Sequence, residues 1–477
     1  LRMTLLSPQD LYFFDTPSLL INLNYLTFVA TGSGEGLDPV IREERSLREY
    51  APYPLYVIGR MYSVLGGLIT VAAAFATARL LSGRYASIAA GLFTAVAFQL
   101  VQYAHYATTT SLSSGLTMLC IFMALKSLKS KDDTAFVRYL IGSVICAGLA
   151  TGARYNAGVI LGVPLLVNLI RLLQKRRYIF LFLPGLMIAL FGVTFIITTP
   201  GSITNTGKFI EGINFITGQY LSGEGMSPWL GLFYEWQYLA VFSLGLPLTA
   251  LIFAGCYNIV YQQPRDTQLA YVVIITYLLV YSLLILRTIR PAGADQLLVP
   301  IITPCAIIGA AGLTAVARRF IWTRITGLLL CIILPLSFSL QFVYQLEQTD
   351  TREHMQAWVY NTIPEQHRIL LVGPYNVALD DEHYTTAQSF SMEITDATLK
   401  NYDYMILSDA LPQFRARLIP GTYYIAPLVL QTPVASIERP LWAGYDSPLH
   451  TASYWHNPSI YIYCLHQDAC DALKRTS

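Results

Sequence analysis

Long apolar runs alternate with short polar segments through the first three quarters of the chain. The runs are about 17 to 25 residues long, enough to cross a hydrocarbon core of roughly 30 Å as a helix. Arg154 divides the region 138–172 into two pieces that are each short for a full crossing. The pattern predicts a mainly α, polytopic bundle of about ten transmembrane helices, near residues 56–81, 86–103, 109–126, 138–152, 155–172, 179–199, 237–259, 268–288, 293–316 and 322–345.

The polar segments divide the chain into three predicted regions. Residues 1–54 are mixed in polarity and are predicted to be a first outer loop, residues 55–345 form the transmembrane helical domain, and residues 346–477 are predicted to be a small α/β domain.

Short β-rich stretches support the α/β prediction for the last region. They lie at 368–372, 402–407 and 460–463, each bounded by polar or turn residues, and a helix-like segment at 351–361 precedes them.

Composition agrees with a membrane protein. The chain is 54% hydrophobic and 13% charged, and its mean hydropathy is +0.48, whereas soluble domains carry roughly 25% charged residues. The net charge is +2, and no Lys/Arg cluster that would suit nucleic acid is present in the sequence. We therefore expect membrane lipid and no nucleic acid as partners.

The distribution of Lys and Arg predicts the orientation. One alternate set of helix ends carries fourteen Lys and Arg residues, and the other carries only Arg154, Lys208, Arg287 and Arg290. Cytoplasmic loops carry the excess of positive charge. We therefore predict a multi-pass protein of the plasma (inner) membrane, with the regions 1–54 and 346–477 on the extracytoplasmic side.

The start of the sequence leaves two interpretations. A chain that enters from outside without a signal suggests a fragment that has lost its first transmembrane helix and part of the first outer loop, and residue 1 is Leu. Initiation at Met3 is the alternative.

Cationic residues near the outer helix ends are candidates for binding an anion, because charge at bilayer depth needs a partner or a ligand. In the alternative interpretation, each residue extends to water or pairs with an acid. Five residues of one sign at one face favour the anion site. They are Arg60, His105, Arg154, Arg287 and Arg290.

Asp15 is a weak candidate for a catalytic base. It lies in the apolar stretch 12–19, which favours a raised carboxyl pKa, although a turn or helix-cap role before Pro17 fits equally well. The sequence has no Cys/His metal spacing, no phosphate-binding glycine loop followed by Lys, and no G-x-S-x-G. We therefore predict no metal-binding residues and no cofactor. Whether the protein requires a metal ion is left open by the sequence.

Two cysteines in the last region have two interpretations. Cys464 and Cys470 are six residues apart, and they form either a disulfide in an oxidising compartment or two thiols.

Six short stretches together resemble the membrane glycosyltransferases of the GT-C fold, specifically the dolichyl-phosphate-mannose-protein mannosyltransferase-like family. They follow the same order along most of the chain: Tyr12 to Leu19, Gly59-Arg60, Ala104 to Thr109 with His105 and Tyr106, Gly148 to Asn156, Leu298 to Pro300, and Asp350 to Trp358.

The resemblance implies a function. It implies transfer of a sugar from a polyprenyl-phosphate carrier to a lipid, glycan or protein acceptor at the outer face, with an acid of the first outer loop as base. The family's acidic pair should lie upstream of Phe13 and is not found, so the main base is expected before residue 1. Thr110 also stands where relatives often have Asp.

A non-enzymatic transporter of a lipid-linked glycan is the alternative function. Transporters tend to have internal repeats and paired broken helices at the membrane midplane, and neither is evident in the sequence.

Overall fold

The computed structural model describes most of the helical region and parts of the last region. The described residues are 14, 16–31, 53–176, 179–221, 228–286, 295–317, 321–347, 349–373, 376–380, 383–389, 396–408, 435–437 and 460–466. The chain divides into two compact units, Leu1–Ser339 and Leu340–Ser477.

Helices dominate the first unit. They are α1 Leu19–Thr31, α2 Tyr53–Val96, α3 Phe98–His105, α4 Thr109–Leu128, α5 Asp133–Ala153, α6 Gly162–Lys175, α7 Ile179–Thr198, α8 Gly201–Thr204, α9 Thr206–Leu221, α10 Pro228–Tyr238, α11 Leu246–Gln262, α12 Arg265–Leu284, α13 Val299–Val316 and α14 Ile321–Glu347, which continues past the end of the unit. Two 3₁₀ turns, Tyr155–Leu161 and Asp295–Leu297, and a π turn, Leu239–Ser243, connect some of them.

Eight helices in the described part of the chain are long and apolar enough to cross a membrane, and a bent pair of helices makes a ninth if it is one crossing. The chain is therefore a multi-pass membrane protein with a mainly α fold, as the sequence predicts. Element α2 has 44 residues and would measure about 66 Å if it were straight. It breaks at Gly83, where φ is 86° and ψ is −167°, between the predicted spans 56–81 and 86–103.

The bent pair differs from the sequence prediction of one span at 237–259. Helix α10, the π turn and α11 together bend by 110°, and the bend lies at Gly245, where φ is 76°. A positive φ suits glycine. The prediction missed this geometry because a continuous apolar run carries no signal for a change of direction.

Glycines let several helices approach each other closely. A Cβ on Gly115 of α4 would lie 2.5 Å from the carbonyl oxygen of Gly66 in α2, and a Cβ on Gly312 of α13 would lie 2.0 Å from that of Leu251 in α11. Small residues drive such packing in membranes, where apolar burial gives little net attraction between helices.

The second unit contains a five-stranded sheet. Its strands are β1 Arg368–Val372, β2 Thr385–Ser389, β3 Tyr404–Ser408, β4 Ala435–Ile437 and β5 Ile460–Cys464, in the order β2-β1-β3-β5-β4. Strand β1 is parallel to both of its neighbours, and β5 is antiparallel to both of its own. Helices α15 Thr351–Thr362 and α16 Asp396–Leu399 complete the described part. The α/β character of the region is therefore confirmed, and its extracytoplasmic location stays a prediction.

One partly exposed contact stabilises the edge between β1 and β3. Asp403 Oδ2 accepts hydrogen bonds from the backbone N–H of Arg368 at 2.9 Å and from His367 Nδ1 at 3.1 Å. Burial acts to raise the pKa of the Asp403 carboxyl, but these two donors outweigh it and lower the pKa below its ordinary value. The folded unit therefore favours the ionised carboxylate.

Candidate functional site

Arg154 lies at a break between two helical segments. Its backbone is extended, with φ −150° and ψ 130°, between α5 and the 3₁₀ turn Tyr155–Leu161. Helix α5 reaches this point in close contact with α7, because a Cβ on Gly152 would lie 2.1 Å from Thr198 Oγ1. Gly148 and Gly152 thus let α5 pack closely on α7 in the turns that precede Arg154.

The Arg154 guanidinium is held by neutral groups. Nη1 donates to Thr110 Oγ1 at 2.5 Å and to Gln296 Oε1 at 3.1 Å. The side chain is half-buried, and no acid pairs with it among the described residues. An aspartate at position 110 would form an ion pair with this arginine. Because Thr110 stands there, this position supplies no negative charge to Arg154, and no other described residue forms an ion pair with it.

Arg154 and both of its partners lie at or near the start of a helical segment. Thr110 lies in the first turn of α4, Gln296 lies two residues before the N-cap residue Leu298 of α13, and Arg154 itself precedes the 3₁₀ turn. Backbone N–H groups of a first turn have no helical carbonyl partner and carry a partial positive charge. The cation and these helix ends together favour an anion.

Tyr155 connects the site to the start of the chain. Its hydroxyl donates to the Phe14 carbonyl oxygen at 3.1 Å. The Phe14 ring is buried, meets the Phe209 ring edge-on at 5.9 Å, and covers Gly201. Phe14, which directly precedes Asp15, is therefore hydrogen-bonded to the residue that follows Arg154. Asp15 itself lies outside the described residues, and its role stays a prediction.

Asn156 connects the site to the chain on both sides of residues 287–294. Its Nδ2 donates to the Tyr281 hydroxyl at 2.8 Å, and that hydroxyl donates to the Leu297 carbonyl oxygen at 2.9 Å. Arg287 and Arg290 lie outside the described residues. Their part in the anion site is therefore not tested, although the chain on both sides of them is connected to Asn156, two residues after Arg154.

His105 and Tyr106 end α3 and lead into α4. His105 Nδ1 lies 2.7 Å from the Val101 carbonyl oxygen, and since a carbonyl only accepts, Nδ1 carries the hydrogen. The Tyr106 hydroxyl accepts from Gln102 Nε2 at 3.2 Å. Ser63 of α2 donates to the Thr108 carbonyl oxygen at 3.0 Å. The turn therefore packs on α2 and delivers Thr110 to Arg154.

Arg60 lies on a different face of α2. Gly59 and Ser63 contact the turn before α4, whereas Arg60 is exposed beside Met61 and Val64, which are 65% and 46% exposed. An apolar exposed face of a spanning helix contacts lipid. This position suits an arginine that extends along the apolar surface to water, and the contacts described here do not bring it to Arg154.

Two residues of the first unit are absent from the sequence prediction. Gln296 is an uncharged residue in a short turn, so no local pattern identifies it as a partner of Arg154. Glu235 of α10 is 5% exposed, and the only sequence signal for it is a single acid directly before an apolar run. A buried acid in a membrane protein is a candidate functional group.

The described residues contain no group of three or more His, Cys, Asp or Glu side chains that could hold a metal ion. Cys464 belongs to β5, and Cys470 lies outside the described residues, so their pairing is not tested.

Solved structures with the same architecture identify the fold. ArnT from Cupriavidus metallidurans in the apo state aligns over 98% of this chain and 93% of its own, with a TM-score of 0.50 and 13% identity. The Archaeoglobus fulgidus oligosaccharyltransferase, in complex with Zn and sulfate, aligns over 88% of this chain and 64% of its own, with a TM-score of 0.51 and 11% identity. No family model and no curated protein matches the chain.

These likenesses show the fold. The chain has the GT-C fold of membrane glycosyltransferases, with a polytopic helical region followed by a smaller region that contains a sheet. The fold prediction from the sequence is thereby confirmed. Activity has to be argued from the site.

Proposed function

We propose that the chain is a glycosyltransferase that moves a sugar from a polyprenyl-phosphate carrier to an acceptor at the outer face of the membrane. The GT-C fold supports the reaction class. Fold alone does not define chemistry, so the proposal rests on the surroundings of Arg154.

One observation carries the proposal: Arg154 has two neutral acceptors, Thr110 and Gln296, and no acidic partner in the described part of the chain. A partly buried cation without a counter-ion is costly, although less so than a fully buried one. A phosphate at the three helix ends would supply that counter-ion. Guanidinium suits the task because it stays charged and can donate to two phosphate oxygens at once.

The reaction follows from the charges. The acceptor oxygen forms a bond to the anomeric carbon of the sugar, and the bond from that carbon to the phosphate oxygen breaks. The electron pair leaves with the polyprenyl phosphate, and the acceptor proton goes to a carboxylate base. Arg154 stabilises the negative charge that grows on the leaving phosphate.

The other candidate residues complete the proposal. Arg287 and Arg290 add positive charge to the phosphate site, and His105 and Tyr106 line its edge. Arg60 lies on another face of α2, so its part is limited to attracting the anionic carrier at the membrane surface. Asp15 is the candidate for the base within this sequence. The donor is a lipid-linked sugar, and the acceptor is a lipid, glycan or protein. The protein lies in the plasma membrane, with its second unit on the extracytoplasmic side.

A transfer assay tests the proposal. Membranes that contain the protein are supplied with polyprenyl phosphates carrying radiolabelled mannose, glucose, galactose or N-acetylglucosamine. We expect label in an acceptor fraction, and we expect its loss with Arg154→Gln but not with the exposed-residue control Arg138→Gln. Movement of the intact labelled lipid across vesicles without any transfer would instead support the transporter and overturn the enzyme.

A further inference from the structure

Buried polar atoms without partners lie at the contact between α1 and α7. The hydroxyls of Ser18 and Thr199 and the side-chain oxygen of Asn22 are buried and make no hydrogen bond in the described part of the chain. Ser18 is 1% exposed and Thr199 is 0% exposed. Such groups lose their water on folding and are costly unless something bonds them.

The three residues come from two segments that are bonded together. The Asn22 backbone N–H donates to the Ser18 carbonyl oxygen at 2.8 Å, so the two side chains lie one helical turn apart on one face. Asn22 Nδ2 donates to the Thr198 carbonyl oxygen at 3.0 Å, and Thr199 follows directly. The amide nitrogen of Asn22 is used for packing, which leaves its oxygen as an acceptor.

This cluster adjoins the phosphate site. Thr198 packs on Gly152, two residues before Arg154. Phe14 lies four residues before Ser18, and its carbonyl oxygen accepts a hydrogen bond from the Tyr155 hydroxyl. Tyr155 directly follows Arg154. The Ser18, Asn22 and Thr199 cluster is therefore connected to the Arg154 region through both of its segments.

We propose that Ser18, Asn22 and Thr199 form a subsite for the hydroxyl groups of the sugar on the lipid carrier, an inference that rests on the proposed function. Asn22 Oδ1 accepts a hydroxyl hydrogen, and the hydroxyls of Ser18 and Thr199 either donate or accept. A sugar presents several hydroxyls that do both. An apolar ligand would leave all three groups unsatisfied, and an anion could accept from the two hydroxyls but would leave Asn22 Oδ1 without a donor.

The sugar contribution is measured as a ratio of affinities. The purified natural gene product in lipid nanodiscs is titrated with decaprenyl phosphate, and then with decaprenyl phosphate carrying mannose, glucose, galactose or N-acetylglucosamine. The ratio of the tightest sugar-bearing affinity to the bare affinity reports sugar recognition. Thr199→Val and Ser18→Ala should each lower the ratio about three- to tenfold, the typical effect of one hydrogen bond. Affinity for decaprenyl phosphate should stay within about twofold.

Thr94→Val is the matched control. Thr94 of α2 is 1% exposed, and its hydroxyl also lacks a partner in the described residues, but none of the described contacts of the cluster involves it. We expect this variant to leave both affinities unchanged.

Two results overturn the inference. An unchanged ratio in both Ser18→Ala and Thr199→Val would show that the cluster binds only water, and a wild-type ratio of one for every sugar would show that no sugar is recognised. If decaprenyl phosphate itself fails to bind the wild type, the proposed function fails as well, so the two failures are distinguishable.

Discussion

Replacing Arg154 by glutamine removes the charge on which the account depends. The glutamine amide still donates a hydrogen bond, so Thr110 can keep a partner and the loss of folding stability should be small. A phosphate about 4 Å from the guanidinium interacts with it by about 4 kcal/mol at an effective dielectric constant of about 20. Partial exposure of the side chain reduces this to about 2 to 4 kcal/mol.

This energy predicts a large loss of lipid binding. We expect Arg154→Gln to bind decaprenyl phosphate about 30- to 700-fold more weakly than the wild type. Arg154→Lys keeps the charge but lacks the planar fork of N–H donors, and it should lose about tenfold. The measurement is a titration of each purified protein in nanodiscs of neutral lipid.

The control separates this site from general electrostatics. Arg138→Gln removes the same charge from an exposed residue that lies over the Tyr139 ring, and it should bind like the wild type. Circular dichroism confirms that each variant is folded. If folded Arg154→Gln binds decaprenyl phosphate within twofold of the wild type, Arg154 is a structural residue and the reasoning fails.

Three further predictions concern the fold and its orientation. Gly115→Ala should destabilise the protein by about 1 to 3 kcal/mol, because the added carbon would lie 2.5 Å from the Gly66 carbonyl oxygen. Gly192→Ala is the control, because its added carbon meets nothing within 4 Å. Thermal melting in detergent compares the two variants, and equal melting temperatures would contradict the packing. The folded state lowers the pKa of Asp403, so its stabilisation is complete above about pH 4 and is lost as the pH falls. The protection factor of the amides in the strand 368–372, which is the intrinsic exchange rate at each pH divided by the observed rate, should therefore fall in acid. Asp403→Asn should have a lower protection factor near pH 7 and a weaker dependence on acid, and an unaltered acid dependence would refute this. Lys400 is exposed, and we expect Lys400→Cys, in a background without other cysteines, to react with an impermeant thiol reagent in intact cells. Reaction only after lysis would contradict the predicted orientation.

Local pattern was sufficient for most of the helices. Membrane helices follow from the length of apolar runs, and the break at Gly83 falls between two runs that the sequence separates. Arg154 likewise divides its region into α5 and the following 3₁₀ turn. The strands of the second unit follow from short apolar stretches. The bend at Gly245 was missed, because a continuous apolar run carries no signal for a change of direction.

The site could be predicted only in part. The sequence identified Arg154 from its charge, but its partners Thr110 and Gln296 are neutral residues distant along the chain. Ser18 and Thr199 are ordinary in sequence, and only the packing of α1 on α7 shows that their hydroxyls lack partners. Such properties depend on tertiary contacts, which hydrophobic periodicity does not encode.

A structure of the natural gene product with bound decaprenyl phosphate tests the central claim most directly. We expect the lipid phosphate at the N-terminus of α4, with a phosphate oxygen about 3 Å from an Arg154 guanidinium nitrogen, and the polyprenyl tail along the apolar surface. A phosphate bound more than about 10 Å from Arg154, beyond a Debye length of screened attraction, with the guanidinium still on Thr110 and Gln296, would contradict the account.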